Sequence, residues 1–144
     1  MNKLFFILIT VVILVFLVVG AKMPSAQVDD VFAHRGYMTE DNIENTKSAI
    51  TTAISKDFGV EINVQLTSDD KLVVFHDGTV DRITDQKGKV KNYTLEELKE
   101  MNIKGTDDKI LSFDEVLNLV DSKVTLLIDT KGDVFGKKLE DKLY

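Results

Sequence analysis

The chain has 144 residues, 44% of them hydrophobic and 29% charged, with a formal net charge of −6. That balance describes a globular protein rather than a disordered one, and the lack of a basic run or of basic–aromatic interleaving argues against a nucleic-acid partner. Cysteine is absent, which excludes a disulfide framework, a zinc-thiolate site and a thiol nucleophile, and His34 and His76 are the two imidazoles on which any histidine chemistry must rest.

Residues 1–3 form a short basic segment through Lys3, and residues 4–19 are apolar apart from Thr10. A helix of about eighteen residues spans ~27 Å, nearly the hydrocarbon thickness of a bilayer. Residues 1–21 are therefore read as a transmembrane anchor, in preference to a cleaved signal peptide. The signal reading would use the small residues Gly20-Ala21 or Ser25-Ala26 for cleavage. Lys3 and the α-amino group favour an N-terminus inside the cell. Both readings place the rest of the chain outside the cytoplasm, as a single-pass membrane protein or a secreted one. Residues 22–30, with the only proline at Pro24, read as a linker to a folded domain over 31–144.

Val31-Phe32-Ala33 reads as a short strand with a functional C-terminal edge at His34-Arg35-Gly36. A polar loop runs to about Glu44. Asn45 is expected to cap a helix from 46 to about 57, with Ala49, Ile50, Ala53 and Ile54 on its apolar face and Gly59 as C-cap. The central strand follows. Val60, Ile62, Val64 and Leu66 point one way, and Glu61, Asn63, Gln65 and Thr67 point the other. A four-residue turn, Ser68-Asp69-Asp70-Lys71, leads to the return run Leu72-Val73-Val74-Phe75 and then His76-Asp77. So short a connection joins antiparallel neighbours. The strand–helix–strand order before it implies a parallel pair with a right-handed crossover.

Residues 77–92 are polar and irregular. Thr94 and Glu97 form a capping box for a helix from 95 to about 102, buried through Leu95, Leu98 and Met101. Ser112 and Glu115 form a second capping box for a helix to about 121. Residues 124–130, VTLLIDT, read as a third parallel strand carrying Asp129, with Lys131 at the same parity just beyond. Residues 134–144 read as the start of another helix. His34-Arg35, Glu61/Asn63 and Asp129/Lys131 thus lie at strand ends of a βα series, the edge that faces ligand in α/β folds. Two oxygen ligands at i and i+2 with an imidazole nearby suit a hard-cation site with an acid/base beside it. A merely solvated polar strand face is the alternative.

With these residues in line, the chain resembles the glycerophosphodiester phosphodiesterase family from residue 31 to about 131. The His-Arg-Gly opening is His34-Arg35-Gly36. The Pro-Glu-Asn-Thr motif is present as Ile43-Glu44-Asn45-Thr46, with the proline replaced. The Glu-x-Asp metal motif is Glu61-Ile62-Asn63, with asparagine for aspartate. The strand ending in His-Asp is Val73-Val74-Phe75-His76-Asp77. The following stretch is Asp81-Arg82-Ile83-Thr84, and the Glu-x-Lys motif is Asp129-Thr130-Lys131.

The resemblance implies a TIM (β/α)₈ barrel with a small hairpin-plus-helix insertion after its second strand. It also implies hydrolysis of glycerophosphodiesters to glycerol 3-phosphate and an alcohol, with a divalent cation, Ca²⁺ or Mg²⁺. His34 and His76 would form the acid/base pair, with neither assigned as the first acid. Arg35 and Lys131 would bind the substrate phosphate. Glu61, Asn63 and Asp129 would ligate the metal. Asn63 would coordinate through its amide oxygen without bringing charge, and Asp129 is one methylene shorter than the family's glutamate. Glu44 and Asn45 are expected to orient the first loop and cap the helix. A whole barrel takes about 250 residues. Three of eight strands are expected here, so the chain reads as the N-terminal part of a barrel: a truncated product or incomplete sequence, or one half of a complex completed by self-association or by a partner. A non-catalytic, membrane-anchored binding module with a degraded metal site is one competing reading. A related phosphodiesterase acting on intact phospholipid is the other.

Overall fold

The computed structural model describes residues 31–131 and Leu139. The expected anchor and linker, and the final helix apart from Leu139, lie outside the described residues. The elements are β1 (Phe32–Ala33), α1 (Lys47–Ser55), β2 (Gly59–Leu66), β3 (Leu72–Val74), α2 (Leu95–Glu100), β4 (Leu111–Ser112), α3 (Phe113–Val120) and β5 (Leu126–Thr130), with a 3₁₀ turn at Val90–Asn92. The fold is α/β. Among the described residues no helix is long and apolar enough to cross a membrane.

Every other feature is arranged around β2. On one edge it pairs with β1 in parallel at its start and with β3 antiparallel at its end, Val64 opposite Val74 and Leu66 opposite Leu72. On the other edge it pairs with β5 in parallel, which sets Asn63 beside Asp129. The expected hairpin and the expected parallel strands are therefore present. A strand that the sequence pattern did not announce, β4, pairs antiparallel with β3. Two residues are too few to show a period of two.

Val60, Ile62 and Val64 of β2 are fully buried against α1 and α3, through Ile50, Ala53, Phe113 and Val116. Each such side chain contributes roughly 1.5–3 kcal/mol on burial. A second core lies under the segment from β3 to β4, where Val73 and Phe75 meet Val80, Leu98, Met101 and Ile110. β3 thus alternates between two cores, with Leu72 and Val74 in the first. Both capping boxes form, Thr94 with Glu97 and Ser112 with Glu115.

Several local expectations are corrected. Thr46, not Asn45, is the N-cap of α1; its hydroxyl accepts from the Ala49 N–H. Asn45 stands one residue earlier with φ 58° and turns its side chain toward β2. α1 ends at Ser55 and α2 at Glu100, each shorter than expected. Gly59 is no C-cap but the first residue of β2, and a Cβ there would lie 2.6 Å from the Phe32 ring. The polar face of β2 is not solvated: Glu61, Asn63 and Gln65 are all buried.

Candidate active site

The turn after β1 builds the first wall. The Gly36 N–H donates to the Ala33 carbonyl, with Arg35 at φ 59° and Gly36 at φ 84°. Two successive left-handed residues aim the Arg35 N–H at the Glu61 carboxylate, 2.9 Å away. A non-glycine residue in this region is strained by about 1–2 kcal/mol. The Arg35 carbonyl accepts from the Asn45 N–H at 2.8 Å, so the same turn also fixes the segment before α1.

The Arg35 guanidinium points inward. Nη1 donates to Glu44 Oε2 at 3.2 Å and Nη2 lies 2.7 Å from His76 Nε2. Guanidinium only donates, so His76 accepts on Nε2 and carries its proton on Nδ1, which faces Asp77 Oδ1 at 2.7 Å. Arg82 closes the ring. It donates to Asp77 Oδ2 at 2.6 Å and to Glu44 Oε1 at 2.5 Å. Two guanidinium cations therefore balance two carboxylates around one imidazole.

The electrostatics follow from that ring. Arg82 above all, then His76, holds the Asp77 carboxyl down at about 2, despite partial burial. Burial alone would push Glu44 up, but Arg82 and Arg35 outweigh it and leave Glu44 below the usual carboxylate range. Arg82 is in turn held more firmly protonated by Asp77 and Glu44. Gln65 supports the ring from β2: its Nε2 donates at 2.7 Å to the carbonyls of both Phe75 and Asp77, the residues flanking His76.

A second cluster lies on β2 and β5. Asn63 Nδ2 donates to Glu61 Oε1 and to Asp129 Oδ2, both at 2.9 Å. Asn63 Oδ1 is turned away and accepts from Asn45 Nδ2 at 3.1 Å. Lys131 Nζ lies 2.6 Å from Asp129 Oδ2 and holds that carboxyl below its ordinary value, helped by Asn63. His34 is exposed, with Nε2 4.0 Å from Glu61 Oε2.

The sequence-expected residues thus come together as one connected set: Glu61 meets His34, the Arg35 N–H and Asn63, Arg35 reaches on to His76, and Asn63 reaches Asp129 and through it Lys131. Arg35 and Lys131 face protein carboxylates. Residues not expected in the site are Asp77, Arg82 and Gln65. Asp77 and Arg82 stand in the motifs Phe75-His76-Asp77 and Asp81-Arg82-Ile83-Thr84, which were the available signal; Gln65 was visible only as a polar-face residue.

Two groups of ligand atoms suit a metal. Glu44, His76 and Asp77 each bring one ligand atom within 4.8 Å of the others. Arg35 and Arg82 already hold those carboxylates, so an added cation would face two positive charges. Glu61 and Asp129 fit a hard cation better. Each offers a carboxylate oxygen with no guanidinium on it, and the Asn63 NH₂ stands between the two at 2.9 Å from each.

The chain is similar to several proteins of one family. A glycerophosphodiester phosphodiesterase of Caldanaerobacter subterraneus subsp. tengcongensis is 41% identical over 123 residues, covering 78% of this chain and 50% of its own length. Human glycerophosphodiester phosphodiesterase 1 is 36% identical, covering 69% of this chain and 33% of its own. Among solved structures, a glycerophosphoryl diester phosphodiesterase from Parabacteroides distasonis superposes with a TM-score of 0.73 at 27% identity, over 85% of this chain and 45% of that one. An Oleispira antarctica phosphodiesterase, solved in complex with the product sn-glycerol-3-phosphate, gives a TM-score of 0.67 at 29% identity, over 72% of this chain and 45% of that one. The chain spans about half the length of the first two curated relatives it matches. Residues 34–142 match the model of the glycerophosphoryl diester phosphodiesterase family, and the chain belongs to that family.

Proposed function

We propose that this domain takes part in the hydrolysis of glycerophosphodiesters to glycerol 3-phosphate and an alcohol, as the N-terminal part of a TIM (β/α)₈ barrel. The reading rests on one observation above others: Arg35 joins the turn after β1 to Glu61 of β2 and to His76 beyond β3. A guanidinium beside an imidazole and a carboxylate is what an anionic ester needs, charge neutralisation next to a proton carrier.

In this reading the phosphate draws Arg35 and Lys131 from their carboxylate partners. The P–O bond to the incoming water oxygen forms and the P–O bond to the alcohol breaks. One of His34 and His76 takes the water proton and the other gives a proton to the leaving alkoxide, so the products are the phosphomonoester and the neutral alcohol. Asp77 holds the His76 ring so that Nε2 faces the reaction. Glu61 and Asp129 would hold a divalent cation, Ca²⁺ or Mg²⁺, which when bound would polarise the phosphoryl oxygens. The reading includes an extracytoplasmic location, with residues 1–21 as anchor or signal. Self-association, or a partner adding strands beside β5, belongs to it too, because among the described residues β5 pairs only with β2.

The test is hydrolysis of glycerophosphocholine by the full chain in detergent, with Ca²⁺, Mg²⁺ or chelator. Product that depends on the cation and disappears in His34→Ala and His76→Ala supports the function; no product from a folded sample counts against it. One observation favours the second reading, a non-catalytic binding module: the Asn63 amide satisfies the two carboxylates without an ion. Activity confined to Asn63→Asp would favour that reading.

A further inference from the structure

We propose that Asn63 is a built-in competitor for the divalent cation: its NH₂ group occupies the place between Glu61 and Asp129 that the ion would take, and the ion binds only when that amide turns away. This rests on the cation reading above and goes beyond it by reversing the expected role of Asn63, from ligand to rival.

The orientation of the amide is decided by a relay that begins at a backbone group. The Asn63 backbone N–H can only donate, and it faces Asn45 Oδ1 at 3.4 Å. The other arm of the Asn45 amide must then be its NH₂, which donates to Asn63 Oδ1 at 3.1 Å. The Asn63 NH₂ is left for the carboxylates and gives one proton to each. Reversing the Asn63 amide would set two NH₂ groups against each other and aim an amide oxygen at two carboxylates. The ambiguity that usually attends an amide is removed here by the backbone donor. Asn45 and Asn63 are 4% and 1% exposed, so water cannot rescue a broken link. Asn45 is itself held through its N–H on the Arg35 carbonyl.

A cation needs oxygens at about 2.0–2.6 Å, and N–H groups pointed into its place exclude it. Lys131 Nζ, on the same Asp129 oxygen, adds a second partner, an ammonium in place of a metal ion. An aspartate at position 63 would have no proton to offer. Three carboxylates would then face one another, and beyond the Lys131 ammonium on Asp129 a bound ion would be needed to offset their repulsion. Asparagine makes the same arrangement self-sufficient, so the folded chain does not depend on the ion.

The experiment compares the full chain with Asn63→Asp and Asn63→Ala by calorimetric titration with CaCl₂ and MgCl₂, and by thermal melting in EDTA and in excess cation. The wild type is expected to melt at nearly the same temperature in both conditions. Asn63→Asp should bind at least about tenfold more tightly and melt lower than the wild type in EDTA, recovering with the ion. A variant that folds only with the ion present counts the same way. Asn63→Ala, which removes the rival and leaves both carboxylates, should bind no more weakly than the wild type. Weaker binding by Asn63→Ala would overturn the proposal, since a ligand and not a competitor would have been lost. Unchanged or absent binding in Asn63→Asp would overturn it as well. Hydrolysis is not read out, so a chain that titrates as expected yet cleaves no glycerophosphodiester refutes the proposed function and leaves the role of Asn63 standing.

Discussion

Arg35 Nη2 lies 2.7 Å from His76 Nε2, and this contact between residues 41 positions apart assigns the imidazole its tautomer. The proton sits on Nδ1 against Asp77, and Nε2 keeps its lone pair beside the guanidinium.

Long-range proton–nitrogen correlation of the imidazole should therefore show His76 in the Nδ1–H form near neutral pH. In Arg35→Leu the Nε2–H form should appear as well, because the donor that excluded it is gone. Hydrolysis in that variant should fall at least about 100-fold. A wild-type spectrum dominated by Nε2–H would contradict the ring of contacts.

Asp77 contributes stability that depends on pH. Its carboxyl titrates at about 2 in the folded chain against an ordinary 3.8, held down first by Arg82. For a depressed carboxylate the stabilisation is complete above the unfolded value and drains away as pH falls toward the folded one. Arg82 is half-exposed, so solvent screens part of the gain, and the loss between about pH 5 and pH 2 is expected to be on the order of 1 kcal/mol. Urea unfolding at stepped pH should show a shallower acid slope in Asp77→Asn. The same slope in both proteins would rule this contribution out.

Gln65 is expected to act on His76 without touching substrate. Its replacement by leucine leaves the buried Phe75 carbonyl and the half-buried Asp77 carbonyl without this donor, at a cost of roughly 1–3 kcal/mol. The loosened ring should lower kcat more than it changes KM, and should blur the Nδ1–H signature of His76. A loss of stability with that signature intact would make Gln65 purely structural.

Gly36→Ala should be the most damaging small change near the site. Gly36 sits at φ 84°, and an added Cβ would come within 2.8 Å of the Ala49 Cβ and 2.9 Å of the Ala49 carbonyl carbon. The backbone of α1 cannot yield as a flexible side chain would. A cost of about 2–4 kcal/mol is expected in chemical unfolding, together with a shift of the Arg35 N–H resonance that reports the contact to Glu61. A variant within about 0.5 kcal/mol of the wild type would show that the turn can open.

What the residue order determined by itself was local. The alternation over 60–66 announced β2, the short turn announced the hairpin, and Thr94/Glu97 and Ser112/Glu115 announced two helix starts, because each signal is spent on neighbours a few residues away. The order of the motifs was enough to place the chain in its family. The tertiary structure decided what those signals could not carry. Asn45 and Thr46 are both good caps, and the choice between them was made by Asn63, eighteen residues on, which claims the Asn45 amide. The polar face of β2 is buried because Arg35, Asn45 and Asp129 reach it from three other segments. The direction of the Asn63 amide, and with it the difference between a ligand and a rival of the ion, depends on which atom of a distant side chain faces one backbone N–H. A hydrogen bond is directional and its partner is chosen by the fold, so no spacing along the chain encodes it.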